Sequence, residues 1–170
     1  MTLSGKLLMR QVIEYTDDNG NKLDWDDPLP KEFKEGWYKL AQNIFRLETI
    51  KLPRCIRTTE LIEPTLIVFN DASTLAYSAC AYARRQVEED KYESRLLTSK
   101  VRLAPIKAQT IPRLELSSAV LSVRLCNTIV KESNIKFNHF YHLTDSDCTV
   151  TDCKRHPQCW NLCSKQNFRN

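Results

Sequence analysis

A long helical pattern stands between two strand-like runs in this chain, and that arrangement restricts its possible folds more than any other feature. LIVFNDAS (66–73) is an unbroken apolar run that ends in polar residues, the pattern of a central strand covered on both faces. HFYHLTDS (139–146) reads as another strand. Between them, Ile111 to about Ser133 carries apolar residues at helical spacing, with Pro112 in the first turn, where its missing N–H is harmless. A strand, a crossover helix and a second strand make the two strands parallel neighbours in one sheet. AYSACAYARR (76–85) has alternating alanines suited to a strand pressed under a helix. SRLLTSKVRL (94–103) alternates like a half-exposed strand nearer an edge. The expected class is α/β, with a meander of strands feeding the crossover.

The first third of the chain reads differently. SGKLLMRQVIEY (4–15) offers a serine cap followed by apolar residues at helical intervals. After the polar, turn-rich TDDNGNKLDWDDPLP, a helical pattern resumes at Lys31 and puts Phe33, Trp37, Leu40 and Ile44 on one stripe, with Gly36 inside it. These helices have little core of their own. Two readings stay open: residues 1–60 as a helical adaptor between a preceding element and a domain at 61–170, or as that domain's own first helices.

A chain of 170 residues can hold one domain and an appendage. A net charge of +4 with a pI of 8.7 permits an anionic partner without requiring one. No apolar run approaches the ~20 residues that span a bilayer, and the N-terminus lacks the apolar segment of a secretion signal. An intracellular location, cytoplasmic or nuclear, with no membrane partner, is expected. The seven cysteines then default to thiols. Cys153, His156, Cys159 and Cys163 in the tail supply enough nitrogen and sulfur for zinc, but their spacing matches no strong zinc pattern, and plain thiols are preferred.

Three acidic residues gain meaning from the expected topology. Asp71 closes the first strand, Asp145 closes the fourth, and Glu115 lies near the start of the helix that joins them. Parallel neighbours have their carboxyl ends side by side, at the edge where open α/β sheets bind ligands. Clustered carboxylates repel one another unless a cation sits between them, and hard divalent ions such as Mg²⁺ or Mn²⁺ take oxygen-only sites of this kind. Ser118, Ala119 and Ser122 follow on the Glu115 face, and their small side chains allow close approach to the sheet. Each acid alone has a plainer role: Glu115 in a dipole-favoured first turn, worth about 0.3–1 kcal/mol, Asp71 as a turn former and Asp145 as a cap. Ser146 could cap a helix beginning DCTV. Together the three acids favour a metal site.

The order FNDAS (69–73), PRLELSSA (112–119), LTDS (143–146) resembles the ribonuclease H family. WDDPLP (25–30), LPRC (52–55), FNDASTLAYSACAY (69–82), LLTSKVRLAPIKAQTIPRLEL (96–116) and TDS (144–146) together are similar to the ribonuclease H-like region of Bel/Pao-type retrotransposon polyproteins. The resemblance implies a mixed sheet of order 3-2-1-4-5 and removal of RNA from an RNA–DNA hybrid after reverse transcription. It also implies an upstream reverse transcriptase domain in the same polyprotein, to which the N-terminal helices would be the adaptor. Asp71, Glu115 and Asp145 would hold two Mg²⁺ (or Mn²⁺) ions, one activating a water and the other stabilising the leaving 3′ oxygen. Hybrid recognition would rest on 2′-hydroxyls and groove shape. Lys100, Arg102, Lys107 and Arg113 are candidates for backbone phosphate contact, a solvated basic face being the plainer reading.

The chain departs from the family pattern after TDS, where DCTVTDCKR carries Asp147 and Asp152, and it stops before the expected strand 5 and fourth acidic residue. The sheet is therefore expected without strand 5, in a domain at 61–170 truncated at its C-terminus. A non-catalytic, nucleic-acid-binding remnant is one alternative. An aspartic-type peptidase is the other, because the family has also been catalogued as a peptidase; Asp71-Ala72-Ser73 follows an apolar strand but lacks the glycine that chemistry uses.

Overall fold

The computed structural model describes residues 2–51 and 63–146, and the chain divides into two compact units near residue 52. The LPRC segment, the expected zinc-ligand candidates and any helix or strand after Ser146 lie outside the described residues.

The first unit is a pair of helices, α1 (Leu3–Glu14) and α2 (Lys31–Arg46), the latter followed by a short 3₁₀ turn at Leu47–Thr49. Thr2, rather than the expected Ser4, caps α1, its Oγ1 accepting from the Gly5 N–H at 3.3 Å. Tyr15 meets Phe33 edge to face at 5.5 Å. Gly36 explains itself here: a Cβ at that position would lie 2.9 Å from Leu8 Cδ2, so glycine lets the helices close up. Of the apolar stripe, Phe33, Trp37 and Leu40 are half-buried and Ile44 is exposed. Gly5 is the one buried residue among residues 2–51. Such a pair buries too little to offset the ordering entropy of its own chain.

The second unit contains β1 (Thr65–Ala72), β2 (Ala76–Glu88), β3 (Lys91–Leu103), α3 (Ile111–Glu132) and β4 (His139–Leu143). Among the described residues the sheet has four strands in the order β3-β2-β1-β4. β1 is antiparallel to β2, from Thr65↔Arg84 to Ala72↔Tyr77, and parallel to β4, from Thr65↔His139 to Phe69↔Leu143. The crossover pattern in the sequence thus has its expected consequence.

β2 and β3 each run about one turn of hairpin further than their apolar alternation suggests. The extension comprises residues 86–88 and 91–93, and it is tied to the expected strands by charge: Arg85 pairs with Glu93 at 2.6 Å, Arg95 pairs with the same carboxylate, and the Arg84 guanidinium lies 3.9 Å from the centre of the Tyr92 ring. Cross-strand charges hold a solvated ribbon that carries no hydrophobic period. The Arg85 guanidinium beside Glu93 holds its carboxyl below the usual range. Asp90, with φ of 61°, turns the chain between Glu88 and Lys91.

The core lies between the sheet and α3. Leu66 and Val68 of β1 and Ala79 and Ala81 of β2 meet Leu121, Leu125, Cys126 and Ile129 of α3. The alternating alanines do what their size predicts, letting α3 sit close over the sheet. Burial pushes the Cys126 thiol up to about 11. On the other face Phe69 and Tyr82 make an edge-to-face pair at 5.8 Å, with Phe69, Tyr141 and Leu143 exposed. Among the described residues no helix is long and apolar enough to cross a membrane.

Candidate active site

Parallel pairing between β1 and β4 stops at Phe69↔Leu143, while β1 continues against β2 through Asp71↔Ser78 and Ala72↔Tyr77. Beyond that last shared pair the two chains separate and an open cleft of about 410 Å³ begins. Asn70 and Asp71 wall it from β1, Ser78 and Cys80 from β2, and Thr144 and Asp145 from the chain leaving β4. This is the carboxyl end of two adjacent parallel strands, where strand direction in the sheet changes, the edge at which open α/β sheets bind ligands. The structure brings Asp71 and Asp145 into this one cleft, both exposed. Asp71 Oδ1 accepts from the Ala72 N–H at 2.7 Å.

Glu115 comes from α3 and bonds to the segment that leaves β4. It sits half-buried on α3, and its Oε2 accepts the hydroxyl proton of Ser146, the residue next to Asp145. It does not wall the cleft that holds the two aspartates. Among the described residues no group of three or more His, Cys, Asp or Glu is disposed to hold a metal ion. The helix that Ser146 was expected to cap lies outside the described residues; within them its hydroxyl serves Glu115.

One turn after Glu115, α3 is fastened to the sheet. Ser118 is fully buried, and its Oγ lies 2.8 Å from the Asp71 carbonyl oxygen and 2.7 Å from that of Ser78. A single hydroxyl proton is shared between two backbone acceptors. In the next turn Ser122 donates to the Ala119 carbonyl at 2.8 Å and stands 3.2 Å from His142 Nδ1. With the Ser122 proton committed to Ala119, Nδ1 of a neutral His142 supplies the proton of that second bond. Burial of His142 lowers its pKa and so favours the neutral ring. The small residues following Glu115 therefore do more than permit close approach; they bond the helix to the strands that carry the acids.

The donor set suits a hard divalent ion in kind. It is oxygen-only, and among the described residues no lysine or arginine pairs with Asp71, Glu115 or Asp145. Sequence reasoning missed Asn70, which is 7% exposed and whose Nδ2 has no hydrogen-bond partner among the described residues. An asparagine before a strand-ending aspartate reads from sequence only as a turn signal. Of the basic candidates, Arg102 and Arg113 border a separate groove, while Lys100 and Lys107 line neither it nor the cleft.

A mixed sheet of order 3-2-1-4, a crossover helix packed on one face and acids at the ends of the two parallel strands define a ribonuclease H-like α/β domain. Comparison with family models makes this specific: residues 1–146 match the Pao retrotransposon-like RNaseH-like domain, and the chain belongs to that family. The match begins at residue 1 and so takes in α1 and α2 as well as the sheet. A search of curated proteins returned no match.

Proposed function

We propose that this domain hydrolyses the RNA strand of RNA–DNA hybrids with the help of divalent metal ions, as part of an intracellular retrotransposon polyprotein and downstream of its reverse transcriptase. The observation that carries the reading is the shared cleft of Asp71 and Asp145 at the carboxyl ends of β1 and β4, with Glu115 of α3 bonded to Ser146, the residue after Asp145. Asp71, Glu115 and Asp145 would hold Mg²⁺ or Mn²⁺ there. Bound ions of this kind activate water and polarise a phosphodiester for in-line attack.

The protein's own groups have defined tasks in this scheme. Ser146 orients the Glu115 carboxylate through its hydroxyl, and Ser118 ties the turn after Glu115 to the Asp71 backbone. Together they hold the helix acid at a fixed height against the strand acids. The cleft is open to solvent. Carboxylates without protein cations repel a phosphodiester, so strand binding and cation binding are coupled at this edge.

The test is hydrolysis of an end-labelled RNA–DNA hybrid by the 170-residue chain, with single-stranded RNA and duplex DNA as controls. Expected is cutting of the RNA strand in the hybrid alone, dependent on Mg²⁺ or Mn²⁺, abolished by EDTA and lost in Asp71→Asn and Asp145→Asn. Hybrid binding without cutting would replace this reading with the non-catalytic remnant. Pepstatin-sensitive cleavage of a peptide would replace it with the peptidase.

A further inference from the structure

A buried amide on β1 lies unpaired beneath the helix that carries Glu115. Side chains alternate along a strand, so Asn70 continues the row of Leu66 and Val68, which meet Leu121, Leu125 and Ile129 of α3. Only 7% of Asn70 is exposed, and its Nδ2 is closed to solvent without a hydrogen-bond partner among the described residues. The neighbouring strands offer this amide no side-chain acceptor: Ala79 stands beside it on β2, and the pairing with β4 stops one residue earlier, at Phe69↔Leu143. From α3, Ser118 lies over the next residue, its hydroxyl already shared between the Asp71 and Ser78 carbonyls. One turn earlier on the same helix face stands Glu115. A carboxylate has room for about four hydrogen bonds, and among the described residues that of Glu115 makes one, with Ser146.

We propose that Asn70 is a positioning residue for Glu115: its amide nitrogen donates to the carboxylate, opposite the Ser146 hydroxyl, when the site holds a divalent ion. The inference rests on the metal-binding reading of the site and does not depend on hydrolysis there. A buried donor without a partner destabilises a fold, and leucine, branched at the same carbon as asparagine, would avoid that cost at this position. A donor kept there calls for an acceptor. Because Nδ2 is closed to solvent, that acceptor is a group of the protein rather than a bound strand or free water. The Glu115 carboxylate has acceptor sites to spare, and its charge makes such a bond strong. Asn70 from β1 and Ser146 from the chain leaving β4 then grip one carboxylate from two strands, and its remaining lone pairs keep one direction. Ligating carboxylates are held by outer hydrogen bonds of this kind, whose removal typically costs about 10–100-fold in metal affinity.

The test uses the 170-residue chain and reads ion affinity, stability and the amide itself. In Asn70→Leu the Mn²⁺ affinity measured by calorimetry is expected to fall about 10–100-fold while the urea midpoint holds or rises, since a stranded donor is lost. A lower urea midpoint with Mn²⁺ affinity unchanged overturns the proposal, because it makes Asn70 a packing residue only. Asn70→Leu combined with Glu115→Gln is expected to bind Mn²⁺ no more weakly than Glu115→Gln alone. A further loss in the double variant overturns the proposal, since Asn70 then acts other than through Glu115. One measurement needs no variant: the side-chain amide protons of Asn70, assigned by NMR in the isotope-labelled unaltered chain, are expected to move downfield when Mg²⁺ is added. An amide signal that stays in place as the ion binds overturns the proposal. If Asn70→Leu weakens Mn²⁺ binding while the unaltered chain never cuts RNA, the role of Asn70 stands and hydrolysis falls. If the unaltered chain cuts and Asn70→Leu binds the ion and cuts equally well, the role of Asn70 falls and hydrolysis stands. Absence of Mn²⁺ binding by the unaltered chain overturns both.

Discussion

Ser118 Oγ lies 2.8 Å from the carbonyl oxygen of Asp71, so the helix that bears one acid of the candidate site is bonded to the residue that bears another. Removing that hydroxyl leaves two backbone acceptors, of Asp71 and Ser78, facing a buried methyl group. Ser118→Ala is therefore expected to destabilise the domain by about 1–3 kcal/mol, the cost of stranding buried polar groups. Urea denaturation measures it. A loss well below that range would mean that the Ser118 bonds add little.

The alanines under α3 set the height at which Ser118 can make this bond. Ala81 is fully buried, and Ala79 and Ala83 are each 2% exposed. Ala81→Leu is expected to cost about 1–3 kcal/mol or more, because added methylenes must push α3 away from β1 and β2. The same variant should weaken divalent-ion binding, since lifting α3 lifts Glu115 with it. Chemical denaturation together with a metal titration checks both effects.

His142 makes stability depend on pH in a defined direction. Burial lowers its folded-state pKa from the ordinary value of 6.5, so the unfolded chain takes up a proton that the folded chain refuses. The resulting stability is present above about pH 6.5 and is lost as pH falls below it, by up to ~1.4 kcal/mol per pH unit until the folded-state pKa is reached. Denaturation midpoints between pH 8 and pH 5 should show the decline, and His142→Gln should flatten it. A profile equally steep in the variant would place the titration elsewhere.

The sheet was legible in the sequence because its signals are local and strong. The unbroken run around Val68, the alanine alternation at Ala79, Ala81 and Ala83, and the proline at the head of α3 point to a meander followed by a crossover helix; the order β3-β2-β1-β4 was what the family resemblance implied, and it is the order found. The far ends of β2 and β3, residues 86–88 and 91–93, were not legible, since that stretch carries no apolar period and is held by Glu93 pairing across the strands with Arg85 and beside it with Arg95. In the site, Asp71 and Asp145 were readable as strand ends that must lie together once β1 and β4 are parallel. The placement of Glu115 was only half readable. Sequence puts it near the start of α3, but its bond to Ser146 depends on how the chain leaves β4, which no spacing encodes. Asn70 was hidden for the same reason. Each is a relation between elements brought together by packing rather than a pattern along one of them.

The central claim is that Asp71, Glu115 and Asp145 act together on divalent metal at one edge of the sheet. Calorimetric titration of the 170-residue chain with Mn²⁺, beside Asp71→Asn, Glu115→Gln and Asp145→Asn, tests it most directly. The expected result is saturable binding to the unaltered chain, abolished or severely weakened in each of the three variants, with Mg²⁺ competing for the same sites. Absence of binding to the unaltered chain, or equal binding by all three variants, would contradict it.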